Sequence, residues 1–179
     1  MRVVVLVLLF LTSSVFSTAS PPSVVQGPET VPDGWSPPTT WRSDDGRYAQ
    51  DYIGSVRARS SYAYTSLLNA GAVLVFGSDW PVVTLDPFLG IEAAVTGRTL
   101  DGKLWQTQEN ITVAEALRCY TSTAAYAVFA EDELGRIVPG YRADFVILNR
   151  SLFDPDVDWS SIAPVAVYVE GRRVFAEED

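Results

Sequence analysis

The sequence contains no histidine and a single cysteine, Cys119. Without histidine, this chain alone cannot build a Ser-His-Asp triad, a Cys-His pair or a histidine-ligated zinc site. One cysteine excludes an internal disulfide framework. Basic side chains are also few: 13 Lys and Arg stand against 22 Asp and Glu, which gives a net charge of -9. This balance argues against nucleic acid as a partner, because phosphates are bound through clustered Lys and Arg.

Residues 1–19 have the layout of a secretory signal peptide. A basic residue at position 2 precedes an apolar run from Val3 to Leu11, and small residues follow up to Ala19, as in a cleavable leader. The run is shorter than the roughly 20 residues that a membrane-spanning helix needs, so we expect no transmembrane span. The competing interpretation is a buried parallel strand. A leader predicts a secreted protein, and a strand predicts a cytoplasmic one. Glycosylation sequons at Asn110 and Asn149 fit secretion.

The rest of the chain divides into three parts. Residues 20–43 are rich in proline and predict a linker or long loop. Residues 44–129 alternate helix and strand signals, whereas residues 130–179 are β-rich, with a strand predicted from Asp144 to Leu148 and a hairpin turn at Glu170-Gly171. This order is typical of an α/β architecture followed by a β appendage.

Local signals mark several elements within residues 44–129. Asp86 followed by proline predicts a helix start, and Gly97 predicts that helix's end. Thr112 and Glu115 have the spacing of a capping box ahead of another helix. The continuous apolar run at residues 72–76 predicts a strand buried on both faces, as in a parallel sheet covered by helices.

Asp79 follows this predicted strand, in the stretch GSDWPV. Functional groups of parallel α/β folds gather at the carboxyl ends of strands. A carboxylate there can ligate a metal ion and accept a proton from an activated water. Asp is also frequent as a cap of turns and helices after a strand. Spacing alone leaves both roles open.

Three segments carry a resemblance to a known family. They are RARSSYAYTSLLNAGAVLVFGSDWPVVTLDPFLGIEAAVTGRTLDGK, then ITVAEALRCYTSTAAYAVF, then GRIVPGYRADFVILNRSLF. In this order they resemble the C-terminal part of amidohydrolase family 3, in the metal-dependent amidohydrolase superfamily. The resemblance implies a (β/α)8 TIM-like barrel followed by a small β-sandwich segment. It also implies hydrolysis of non-peptide carbon–nitrogen bonds in a small-molecule, amide-type substrate, with zinc or a similar divalent ion. Asp79 then corresponds to the aspartate that binds metal and shuttles a proton.

The sequence departs from that pattern in two ways. The family's His-x-His pair and its other histidine ligands are absent, and a barrel alone takes about 250 residues against 179 here. We therefore expect a fragment with an incomplete barrel, which holds no metal and is inactive as an isolated chain. A complementing chain would supply the missing strands and ligands. The alternative hypothesis is a secreted, non-catalytic binding or structural remnant of the family.

Overall fold

A computed structural model describes residues 4–6, 51–77, 85–99 and 102–177. Its strands are β1 (Val4–Leu6), β2 (Phe145–Leu148), β3 (Pro164–Val169) and β4 (Arg172–Ala176). Its helices are α1 (residues 51–58), α2 (Tyr64–Asn69), α3 (Pro87–Thr96), α4 (Val113–Tyr120) and α5 (Ser122–Ala127). Short 3₁₀ turns cover Thr107–Glu109 and Trp159–Ser161. The described chain is therefore a mixed helix and strand structure.

The strands form one antiparallel sheet in the order β1-β2-β3-β4. β1 pairs with β2 through Val4 and Leu148, so an N-terminal segment and a C-terminal segment meet in this sheet. β3 and β4 form the predicted hairpin, and its two turn residues, Glu170 and Gly171, have φ of 51° and 74°. Positive φ at both positions is typical of the tight turns that match strand twist.

The predicted helix boundaries of α3 are confirmed. The Asp86 side chain accepts a hydrogen bond from the Phe88 N–H at 2.9 Å, and Pro87 occupies the first turn. Gly97 ends the helix with φ of 69°, and its N–H donates to the Ala93 carbonyl. A residue with a Cβ is disfavoured in this left-handed conformation. The helix therefore turns sharply into the loop that follows.

The capping box of α4 is confirmed as well. The Thr112 N–H donates to Glu115 Oε2 at 2.8 Å, and the Glu115 N–H donates to Thr112 Oγ1 at 3.2 Å. Both backbone donors would otherwise lack a partner in the first turn. The Glu115 carboxylate is thereby held charged, and the Thr112 hydrogen bonds lower its pKa.

The core lies between the helices and one face of the sheet. β2 alternates, with Val146 and Leu148 buried and the intervening side chains half-buried. From the helical side, the buried residues are Phe88, Ile91, Ala94 and Ala116; Ile111 and Leu152 complete the cluster. Segments on both sides of residue 130 thus share one core, and burial of these apolar side chains is the main stabilising contribution.

The strand predicted at residues 72–76 does not form. These residues belong to no helix or strand, and Val73 is 59% exposed. A parallel strand needs neighbouring strands for its hydrogen bonds, and every ladder among the described residues is antiparallel. The expected barrel is therefore not visible in this part of the chain.

β1 lies within the segment predicted to be a leader. Cleavage after Ala19 would remove this strand from the sheet. The leader and the secreted location stay predictions. Among the helices that the structure describes, none has both the length and the apolarity to cross a membrane.

Candidate functional site

Asp79, the predicted metal ligand and proton carrier, lies outside the described residues, as does Trp80 beside it. The structure describes the chain that leads to Asp79, up to Gly77, and the chain that leaves it, from Leu85 onward. The candidate site is therefore described through these two flanking segments, which end at Gly77 and resume at Leu85.

Backbone hydrogen bonds attach the approach to Asp79 to helices α4 and α5. The Phe76 N–H donates to the Cys119 carbonyl at 3.0 Å, near the C-terminus of α4. The Thr123 hydroxyl lies 2.7 Å from the Leu74 carbonyl and 2.8 Å from the Arg118 carbonyl. A satisfied carbonyl or amide contributes net stability of about 1 kcal/mol. Residues 74 and 76 are thus held on the helices, although none of the described strands pairs with them.

A row of aromatic rings runs along the same approach. Successive ring centroids are 5.5 Å apart from Trp105 to Tyr62, 6.0 Å to Tyr64, 4.9 Å to Phe76 and 5.6 Å to Tyr120. Edge-to-face and tilted pairs at these distances are favourable beyond their buried area. The row links the loop after α3 to helix α4 and fixes the Phe76 side chain three residues before Asp79.

Close packing at Gly90 supports the end of this row. A Cβ at Gly90 would lie 1.9 Å from the Tyr120 hydroxyl oxygen. Helix α3 therefore approaches the Tyr120 ring only because residue 90 has no side chain. The sequence offers no local signal for this contact, because an isolated glycine within a helix is usually read only as a weak helix former.

A carboxylate outside the predicted site holds helix α2. Glu109 accepts hydrogen bonds from the Ser66 N–H at 2.8 Å and from the Ser66 hydroxyl at 2.7 Å. These bonds, the backbone one first, lower the pKa of the Glu109 carboxyl. Thr65 adds a hydroxyl bond to the Asn110 carbonyl at 2.7 Å. Glu109 therefore anchors the first turn of α2. Both of its carboxylate oxygens accept hydrogen bonds from Ser66 in this role.

Cys119 is buried and free. Burial raises the pKa of its thiol to about 11, so the thiol is protonated at neutral pH. Metal binding and nucleophilic attack both need the thiolate. Cys119 is accordingly a small core residue of α4, and its carbonyl rather than its sulfur supports the approach to Asp79.

The described residues do not fit a catalytic divalent ion. Catalytic zinc takes three protein ligands and a water, whereas no group of three His, Cys, Asp or Glu side chains suited to a metal occurs in residues 51–77, 85–99 and 102–177. The full sequence has no histidine to add.

The sequon residue Asn149 has a structural role. Its amide nitrogen donates to the Ser161 carbonyl at 2.8 Å, and its amide oxygen accepts from the Ala163 N–H at 3.1 Å. Both ends of the side chain thus bridge the loop after β2 to the start of β3. A glycan on Asn149 would compete with the first of these bonds.

Comparisons with known proteins agree with the predicted family. Residues 30–175 match the model of the amidohydrolase family. Protein LONG AFTER FAR-RED 3 of Arabidopsis thaliana is 38% identical over 136 residues, which are 74% of this chain and 23% of that protein. N-substituted formamide deformylase of Arthrobacter pascens is 36% identical over 89 residues, which are 50% of this chain and 16% of that protein.

A solved amidohydrolase from Thermotoga maritima MSB8 shares the fold, with a TM-score of 0.52 at 21% identity over 70% of this chain and 28% of that one. The chain thus spans less than a third of each of these three proteins. The family match covers most of the chain and contains both the approach to Asp79 and the shared core. The predicted membership is confirmed: this chain belongs to the amidohydrolase family.

Proposed function

We propose that this chain contributes the metal-binding and proton-carrying aspartate, Asp79, to an amidohydrolase that cleaves non-peptide carbon–nitrogen bonds. One observation carries the proposal. The family match over residues 30–175 spans Asp79, and the chain entering this stretch is attached to α4 and α5 at Leu74 and Phe76. These contacts hold the backbone at residues 74 and 76, ahead of the proposed ligand in the sequence.

The proposed substrate is a small N-acyl or N-formyl amine. The relative from Arthrobacter pascens is named for deformylation of N-substituted formamides. In such a hydrolysis the oxygen of water bonds to the acyl carbon, the carbon–nitrogen bond breaks, and the amine leaves with a proton. Asp79 would take the proton from water and return it to the nitrogen, as a general base and then a general acid.

We further propose that the isolated chain is inactive. Three ligands are needed to hold the ion, and only Asp79 is assigned on a chain without histidine. The remaining ligands and the strands that flank residues 72–77 would come from a complementing polypeptide and complete a (β/α)8 barrel. The antiparallel sheet of β1 to β4 would be this chain's share of a β-sandwich.

The first experiment measures bound metal and turnover of an N-formyl amine by the purified chain. Asp79→Asn removes the proposed ligand. Asp86→Asn is the matched control, because Asn also caps helices well and Asp86 serves as the cap of α3. We expect no stoichiometric zinc and no turnover in any of the three proteins. The proposal of inactivity would be overturned if the purified chain bound stoichiometric zinc and turned over the substrate, and if Asp79→Asn but not Asp86→Asn abolished this turnover.

A chimera tests the role of Asp79 directly. Residues 44–179 would replace the corresponding C-terminal segment of a complete amidohydrolase, which supplies the histidine ligands. We expect a folded, metal-binding chimera whose turnover is lost in Asp79→Asn and kept in Asp86→Asn. Turnover that survives Asp79→Asn would refute the assignment.

The second candidate function is a secreted, non-catalytic protein. It is favoured by the shared core, because Ile91 of α3 and Leu148 of β2 are almost fully buried and the described residues place no barrel strand between them. A cooperative thermal transition of the lone chain, together with a secreted product that begins after Ala19, would support this function. A chain that unfolds without cooperativity supports the need for a complementing chain instead.

A further inference from the structure

The outer edge of β4 is free of strand partners among the described residues. β4 is the last strand of the sheet and is paired only with β3. All five of its residues are exposed, and the two apolar side chains at its centre, Val174 and Phe175, are 61% and 45% exposed. An exposed edge with apolar side chains is a template for pairing with another chain.

Charges of opposite sign flank this apolar centre. Arg172 and Arg173 precede Val174 and Phe175, and Glu177 follows them. None of these three charged side chains forms an ion pair within the described part of the chain. Along the strand, the stretch RRVFAE therefore begins with basic residues, continues with apolar residues and ends with an acidic residue.

This order is self-complementary when two copies run antiparallel. With the two-fold axis between Val174 and Phe175, Arg172 lies opposite Glu177 of the second copy, twice, and Val174 lies opposite Phe175 of the second copy. In a parallel arrangement Arg would face Arg and Glu would face Glu. Opposite charges across a strand pair are favourable, and like charges are unfavourable. The charge pattern thus selects one orientation.

We propose that the β4 strands of two copies of this chain associate antiparallel, with Arg172 of each copy paired to Glu177 of the other. The ladder between β3 and β4 shifts register and leaves Val174 without a Cα partner on β3. A bulge or a central charge commonly protects an edge from pairing. On β4 the charges stand outside an apolar centre, so they orient a second copy rather than repel it.

A charge-reversal cycle tests this proposal on the full chain. Sedimentation equilibrium would measure the dimer dissociation constant of the wild type, Arg172→Glu and the double variant Arg172→Glu with Glu177→Arg. In the single variant two like-charge pairs face each other across the axis. Because both symmetric pairs change, we expect its dissociation constant to rise about tenfold. The double variant restores opposite charges and should return to within about threefold of the wild type.

Arg136→Glu is the matched control, because Arg136 is exposed outside β4 and its reversal changes the net charge equally. We expect it to leave the dissociation constant unchanged, and higher salt to weaken the wild-type dimer. A wild type that stays monomeric at all concentrations would overturn the proposal. A dimer that Arg172→Glu weakens but the double variant does not restore would overturn the proposed register. Neither result bears on Asp79, so this test is independent of the proposed hydrolase.

Discussion

Gly97→Ala is expected to destabilise the chain more than the same replacement at another turn glycine, Gly102. Gly97 has φ of 69°, and a Cβ built on it would lie 2.7 Å from the Trp105 carbonyl oxygen and 3.0 Å from Asn110 Oδ1. Two separate costs therefore arise at this position. One is the left-handed backbone, and the other is the collision with a backbone atom.

The two costs can be separated with Gly102→Ala. Gly102 has φ of 81°, but a Cβ there would have no atom within 4 Å. This variant carries only the backbone cost, which is about 1 kcal/mol. Gly97→Ala adds overpacking against the loop, which typically costs about 1–3 kcal/mol more. We therefore expect about 3 kcal/mol for Gly97→Ala, a large share of the 5–15 kcal/mol that stabilises a typical domain.

Urea denaturation followed by circular dichroism measures both free energies of unfolding. The difference between the two variants isolates the close approach of α3 to the loop that carries Trp105. Equal losses for Gly97→Ala and Gly102→Ala would refute the reasoning, because the Trp105 carbonyl would then have room to move. A loss at Gly97 accompanied by weaker aromatic circular dichroism would show that the aromatic row depends on this turn.

Four further predictions concern other parts of the molecule. Thr123→Val should cost about 1 kcal/mol and speed hydrogen exchange of the Phe76 amide, because the hydroxyl no longer fixes this segment; unchanged exchange would contradict the anchor. The hydrogen bonds to Glu109 lower its pKa in the folded state, so its contribution is present above the ordinary value of 4.5 and is lost as the pH falls through the folded pKa. Acid titrations of the wild type and Glu109→Gln should therefore converge at low pH, and parallel curves would argue against this linkage. Cys119, with a thiol pKa of about 11, should resist iodoacetamide at pH 8 when native and react in urea, whereas rapid native labelling would show that it is accessible. Deleting residues 1–19 should lower the urea midpoint because β1 is lost from the sheet; an unchanged midpoint would show that this segment contributes nothing to folding and is free to serve as a leader.

The elements that could be predicted from the sequence are those whose causes are local. The start of α3 at Asp86, the capping box at Thr112 and the turn at Glu170 each depend on residues within about four positions of one another. The pairing of Val4 with Leu148 joins segments that lie far apart in the sequence. No local pattern encodes such a partner, so β1 could equally be read as a leader.

The strand predicted at residues 72–76 also depends on partners that no local pattern encodes. This segment leads to Asp79, so its conformation matters for the candidate site. Its apolar run is that of a strand buried on both faces, but the described chain offers no parallel neighbour, and α4 and α5 bind its backbone at Leu74 and Phe76 instead. The sequence predicts the carboxylate at position 79 from this run. No local pattern reveals the contact of the Thr123 hydroxyl with the Leu74 carbonyl, because it spans 49 positions. The helices therefore hold the backbone of this segment at residues 74 and 76. Val73 stays exposed, and under the proposed function a flanking strand of a complementing chain would bind on this side.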